Sequence, residues 1–162
     1  MKDEFIKGWK QYINNDKRKD ISMGNKLRCY RTFKTNYSTE KYLLNCNNYT
    51  FRSNICRLRI SCHKLFIETG RYLPKKDRLK AEERICKYCN LGEVEDELHF
   101  LLRCNLYSNE RSDLISKMSN LYNNFSELSD VIKFNILINN ENNEIIRALG
   151  YYITTCFKKR GN

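Results

Sequence analysis

Four residues in the middle of the chain carry the most specific chemistry. Cys86 and Cys89 are separated by two residues, His99 follows after nine more and Cys104 after a further four, giving C-x2-C-x9-H-x4-C within ICKYCNLGEVEDELHFLLRC. Zinc takes four soft or borderline ligands in a tetrahedron, and a C-x2-C turn presents two thiolates from one knuckle. Asn90-Leu91-Gly92 supplies a reversal after the pair. The next run, EVEDELHFLLRC, reads as a short helix that carries His99 and ends at Cys104, with Leu98, Leu101 and Leu102 packing a small core. The chain has only two histidines, and one lies at ligand spacing beside the single C-x2-C. The expectation is one structural Zn²⁺ held by Cys86, Cys89, His99 and Cys104, a closed site with no position left for a reactive water. Glu93, Glu95, Asp96 and Glu97 outweigh Arg84, Lys87 and Arg103 nearby, so this finger reads as locally acidic and is not expected to be the main grip on a polyanion.

Other metal and catalytic patterns are absent. The nine-residue middle gap does not match the four-residue gap of retroviral-type knuckles, and Cys29, Cys46, Cys56, Cys62 and Cys156 do not supply the second ligand set of a cross-brace RING. Cys56 and His63, seven apart on one expected helix, rise about 10 Å and are too distant for one ion. These five cysteines read as small apolar core residues. His63 beside Cys62 suggests a dyad, but neighbours on a helix point about 100° apart, and the sequence shows no acidic group to orient the imidazole. There is no G-x-x-x-x-G-K-[ST], G-x-S-x-G or H-E-x-x-H, so no enzyme is expected. The acidic run EVEDE is explained by capping and the helix dipole.

The elements that position these residues read as helices. A short amphipathic helix is expected over 4–13 and a polar linker over 14–25. Residues 26–37 alternate basic with apolar or aromatic side chains, as an edge strand or an extended basic arm would. Ser38 or Thr39 caps a helix reaching about residue 47. Phe51, Ile55, Leu58, Cys62, Leu65 and Thr69 fall on one helical stripe across 51–69, with Arg57, Lys64 and Arg71 opposite. Gly70 and Pro74 end that helix, and PKKDRLKAEER forms a basic connector. After the cysteine cluster, Leu114, Ile115, Met118, Leu121 and Tyr122 mark a helix over 108–124, and Ser129 or Asp130 starts another through 138. Ile145, Leu149, Tyr152, Ile153 and Cys156 mark a docked C-terminal helix. The fold class is mainly α: an N-terminal helix and linker (1–25), a basic helical region (26–84), a zinc-stapled knuckle-plus-helix module (85–106) and C-terminal helices (107–162).

Composition narrows the partners. The 162 residues carry a formal net charge of +11, with 41% hydrophobic and 30% charged residues and a single Pro. Residues 1–84 hold 21 Lys/Arg against 9 Asp/Glu, a net of +12, whereas 85–162 hold 9 against 10, a net of −1. A basic half of this kind suits a polyanion, although biased composition that merely solvates the surface would leave the same signature. Mean hydropathy is −0.71 and no apolar run is long enough to span a membrane, so neither membrane binding nor a small-molecule substrate is expected. The charged N-terminus lacks the apolar core of a signal peptide. The chain is therefore expected in the nucleus or cytoplasm, not secreted, with its thiols reduced.

Two stretches, KLRCYRTFK…RSNICRLRISCHKLFIETGRY and ERICKYCNLGEVEDELHFLLRC, resemble the region downstream of the polymerase in non-LTR retrotransposon reverse transcriptases, jockey-type elements especially. In that family a helix with an R-x-x-x-H-x-L-like pattern precedes a C-x2-C…H-x4-C segment. Arg59, His63 and Leu65 match the first, and Cys86, Cys89, His99 and Cys104 the second. The resemblance covers about residues 26–118 and implies an RNA- or DNA-associated module, with other retroelement protein as a further partner. The chain has no [FY]-x-D-D polymerase motif and no endonuclease motif, so it cannot polymerise DNA by itself. The candidate phosphate-facing residues are Arg57, Arg59, His63, Lys64, Arg71, Lys75, Lys76, Arg78 and Lys80, with Tyr30, Phe33, Tyr37 or Tyr72 available to stack on bases. The alternatives are a zinc-stabilised protein–protein interaction module or a decayed fragment with no activity. The discriminating feature is whether the basic residues stand exposed as one continuous stripe, as nucleic-acid binding requires, or are paired with Glu68, Glu82, Glu83 and the EVEDE run.

Overall fold

The C-terminal helix α8 (Asn143–Lys159) makes the most extensive packing of any described element. Asn142 caps it, its side chain accepting from the Glu144 N–H. Ile145, Leu149, Tyr152, Ile153 and Cys156 are all buried, as their 3.6-residue periodicity predicts. The structure is a computed structural model that describes residues 2–14 and 27–161. It is mainly α-helical, with no β-strand longer than an isolated bridge among the described residues. Ahead of α8 come α1 (Lys2–Asn14), α2 (Arg28–Phe33), α3 (Lys41–Asn45), α4 (Tyr49–Arg59), α5 (Phe66–Thr69), α6 (Ser108–Leu121) and α7 (Asp130–Asn139). The linker expected over 14–25 lies almost wholly outside the described residues. No described helix is long and apolar enough to cross a membrane.

α4 and α6 flank α8. α4 approaches so closely that a Cβ at Gly150 would lie 2.5 Å from Phe51 Cβ, so glycine is required there. Phe100 stacks on Phe157 of α8 at 4.9 Å between ring centroids and meets Tyr107 and Tyr152 edge-on. The Tyr152 hydroxyl donates to the Phe100 carbonyl at 2.8 Å. The cysteine-bearing segment is thereby fixed to α8 by buried aromatic surface.

Two stretches depart from the periodicity. Residues 26–37 contain α2, in place of a strand or extended arm: Cys29 and Phe33, four apart, bury together. The helix expected across 51–69 breaks after Arg59. Ser61 adopts φ 54°, and the chain resumes helically only at Phe66. The break has a tertiary cause. Ser61 Oγ accepts from the Cys29 N–H at 3.1 Å and donates to Glu97 Oε1 at 2.9 Å, while His63 meets the same carboxylate. A continuous helix would turn these groups away from Glu97. Ile55, Leu58 and Leu65 keep their core positions, but Cys62 becomes exposed. The basic connector forms two single 3-10 turns, Lys75–Asp77 and Ala81–Glu83.

Candidate metal centre

The knuckle is built by a minimal hairpin. Ile85 and Val94 form an antiparallel bridge, flanked by Cys86 N–H to Glu93 O at 2.8 Å and Glu95 N–H to Arg84 O at 2.9 Å. Gly92 closes the reversal at φ 69°, a left-handed conformation that glycine enters without strain. Inside the turn the Tyr88 N–H points at Cys86 Sγ, 3.4 Å away.

The segment His99–Arg103 is a π-helix, not the α-helix its composition suggests. Asp96 caps it, Oδ1 accepting from the His99 N–H at 2.8 Å, and the Cys104 N–H closes it on the His99 carbonyl at 2.8 Å. An α-helix would set residues five apart about 140° away from one another, whereas an i→i+5 turn brings them to one side. The x4 spacing between His99 and Cys104 is matched to this turn.

Cys86, Cys89, His99 and Cys104 therefore converge, with their ligand atoms all within 4.8 Å of one another. Cys86 Sγ lies 3.9 Å from Cys104 Sγ, and Cys89 Sγ lies 3.4 Å from His99 Nε2. A tetrahedron with Zn–S of ~2.3 Å and Zn–N of ~2.0 Å has S–S and S–N edges of ~3.8 and ~3.5 Å, which these two separations match. Cys86, His99 and Cys104 are buried and Cys89 is half-buried. Burial pushes the Cys86 thiol up to about 12 and raises that of Cys104. Thiolates become stable here only beside a cation. His99 Nδ1 meets Glu93 Oε2 at 2.9 Å, which turns Nε2 toward the cysteines in the carboxylate–histidine–metal arrangement common behind such ligands.

The acidic run forms no acidic skin. Glu95 and Glu97 are buried and each holds an arginine from a distant element. Glu95 pairs with Arg160 beyond α8 and accepts from the Phe66 N–H at 2.6 Å. Glu97 pairs with Arg28 of α2, takes the Ser61 hydroxyl and meets His63 Nε2 at 2.9 Å. Burial works to raise the Glu97 carboxyl, but His63 and Arg28 prevail and hold it down at about 2. Only Asp96 acts as the cap that the sequence suggested for the run. Sequence reasoning missed Glu95 and Glu97 because their arginine partners lie 65 and 69 residues away.

The candidate phosphate-facing residues divide. Arg59 is buried beneath the Phe33 and Tyr42 rings, paired with Glu40 and donating to the Ile138 carbonyl. His63 is enclosed against Glu97, so the acidic orienter missing from the sequence reading exists. Both residues face inward, because desolvated carboxylates on other elements demand a cation or donor. Arg71 packs against Glu68 at 3.3 Å. Arg57, Lys64, Lys75, Lys76, Arg78 and Lys80 are exposed, and none forms an ion pair among the described residues. Of the stacking candidates, Phe33 is buried and Tyr30 is held by Glu40, whereas Tyr37 and Tyr72 are exposed. Set against protein-family profiles, curated proteins and solved structures, the chain matches none.

Proposed function

We propose that the chain is a zinc-stapled accessory module that binds single-stranded RNA or DNA through its phosphates, with no polymerase or nuclease chemistry of its own. The observation that carries this reading is the division of charge. Internal carboxylates engage Arg28, Arg59, His63, Arg71 and Arg160, while Arg57, Lys64, Lys75, Lys76, Arg78 and Lys80 stay exposed without acidic partners among the described residues. Exposed unpaired cations raise local potential and release counterions when phosphates replace solvent. The likeness of residues 26–118 to the post-polymerase region of non-LTR retrotransposon reverse transcriptases agrees with this role. Zinc is the metal of choice because three sulfurs and one imidazole in a closed tetrahedral set suit it better than harder or octahedral ions.

Metal analysis of the purified chain should find about one zinc, lost in Cys89→Ser; its absence from the wild type removes the metal half of the proposal. A labelled single strand tests the other half. Six phosphate contacts weaken binding by ~10⁴-fold across a tenfold rise in salt. Replacing Lys75, Lys76 and Arg78 together by Glu should weaken binding without changing metal content. Equal binding at low and high salt overturns the nucleic-acid reading.

A further inference from the structure

An unexplained feature is a cleft of ≈ 510 Å³ between α4 with the turn that follows it and the last turns of α8. Its size falls in the ~300–1,000 Å³ range of small-ligand sites. Arg57 of α4, Lys64 of the turn after it and Lys158 of α8 line it, all exposed and all without an ion-pair partner among the described residues. Phe157 contributes apolar wall, and the Tyr72 ring, 66% exposed, stands at the margin. Asn54 gives its Nδ2 to Thr154 Oγ1 at 2.9 Å, which leaves its amide oxygen as an acceptor. One carboxylate, Glu68, also lines the cleft, but it is buried and held between Arg28 and Arg71. That charge disfavours phosphate at the floor and tolerates a neutral ring.

We propose that this cleft takes one nucleotide of the bound single strand, base inward and phosphate outward. The proposal rests on the nucleic-acid reading above. The base lies against Tyr72 and Phe157 within reach of the Asn54 amide oxygen, and its phosphates sit among Arg57, Lys64 and Lys158. Continuity with the rest of the basic surface favours a strand over a free nucleotide. Tyr72 is only three residues from Lys75, a span of at most ~11 Å, so a backbone leaving the cleft runs directly onto the Lys75–Lys80 connector. A splayed base on an aromatic ring with phosphates on flanking cations is the usual physical form of single-strand binding.

Cys62 reports occupancy without any substitution, because it lines the cleft and is the one exposed cysteine of the eight. The metal-loaded full chain is alkylated with N-ethylmaleimide and Cys62 modification followed by mass spectrometry, alone and with a short single strand, a duplex of the same sequence or a nucleoside monophosphate. The single strand should slow alkylation about tenfold at saturation, while the duplex and the monophosphate at equal concentration should not. Two exposed positions supply variants that leave folding intact. Tyr72→Ala should raise the strand concentration needed for protection about five- to 150-fold. Lys158→Glu should weaken binding and flatten its log–log salt dependence by about one unit. Strand binding with unchanged Cys62 reactivity overturns the cleft proposal and leaves the accessory reading standing. Protection by the monophosphate equal to that by the strand also overturns it, assigning the cleft to a free nucleotide. No strand binding at all removes both.

Discussion

Glu93 decides whether the four-residue cluster is an oriented metal site or a chance meeting of thiols. Its Oε2 stands 2.9 Å from His99 Nδ1, and its other oxygen is 3.3 Å from Arg103 Nη1. Glu93→Ala leaves all four ligands in place but removes the group that fixes the imidazole ring and its tautomer. Losing such a partner costs about 10–100-fold in metal affinity, or about 1.4–2.7 kcal/mol. Because the Glu93 side chain is 37% exposed, water replaces part of the lost hydrogen bond, and the lower end, about tenfold, is expected. Competition with a chromophoric chelator reads this directly. Glu93→Gln, whose amide oxygen still accepts from Nδ1–H, should recover part of the loss. Arg103→Ala breaks the pairs with Glu93 and Asp130 and should leave affinity within twofold, separating orientation from surface electrostatics. Unchanged affinity in Glu93→Ala, or an equal loss in Arg103→Ala, refutes the reasoning.

Glu97→Ala strips the shared partner from Arg28, Ser61 and His63, and an uncompensated buried charge should cost ~3–5 kcal/mol in urea denaturation; a cost below ~1 kcal/mol would show that the hub is not holding the elements together. Gly150→Ala should destabilise by ~1–3 kcal/mol through contact with Phe51, and the loss should shrink when Phe51 is trimmed to Ala in a double-mutant cycle. Glu68 behaves oppositely to Glu97. Burial raises its carboxyl above 4.5, and neither oxygen has a hydrogen bond. The folded state therefore binds the proton more tightly than the unfolded state, so ionisation erodes stability as pH rises from about 4.5. Glu68→Gln should be more stable than wild type near neutral pH, and the gap should close as pH falls below 4.5; a gap that widens in acid would contradict the assignment.

What was legible in the sequence was local. The α8 stripe, the C-x2-C knuckle and the Asn90–Gly92 reversal are set by residues within a turn or two, and all appear where spacing puts them. The break after Arg59 was not legible, because its cause lies in pairs separated by 34 and 36 residues, His63 and Ser61 with Glu97. The inward fate of the acidic run was hidden for the same reason, Arg28 standing 69 residues away from Glu97. Helical periodicity reports which face is apolar; it carries no information about a carboxylate that arrives from elsewhere and outweighs one turn of helix.

These long-range pairs also change what the charge asymmetry means. Divided by sequence, the chain is a +12 half joined to a −1 half. Divided in space, the boundary runs between inside and outside. Glu95 and Glu97 of the nominally neutral half draw in Arg160 and Arg28, and Glu40 and Glu68 draw in Arg59 and Arg71. Each inward pair neutralises a cation that composition alone would assign to the surface. Among the cations left exposed, Arg57 and Lys64 are joined in the cleft by Lys158 from the half whose sum is near zero. By engaging α2, the turn after α4 and Arg160 just past α8 together, the acidic segment ties these parts of the chain into one frame.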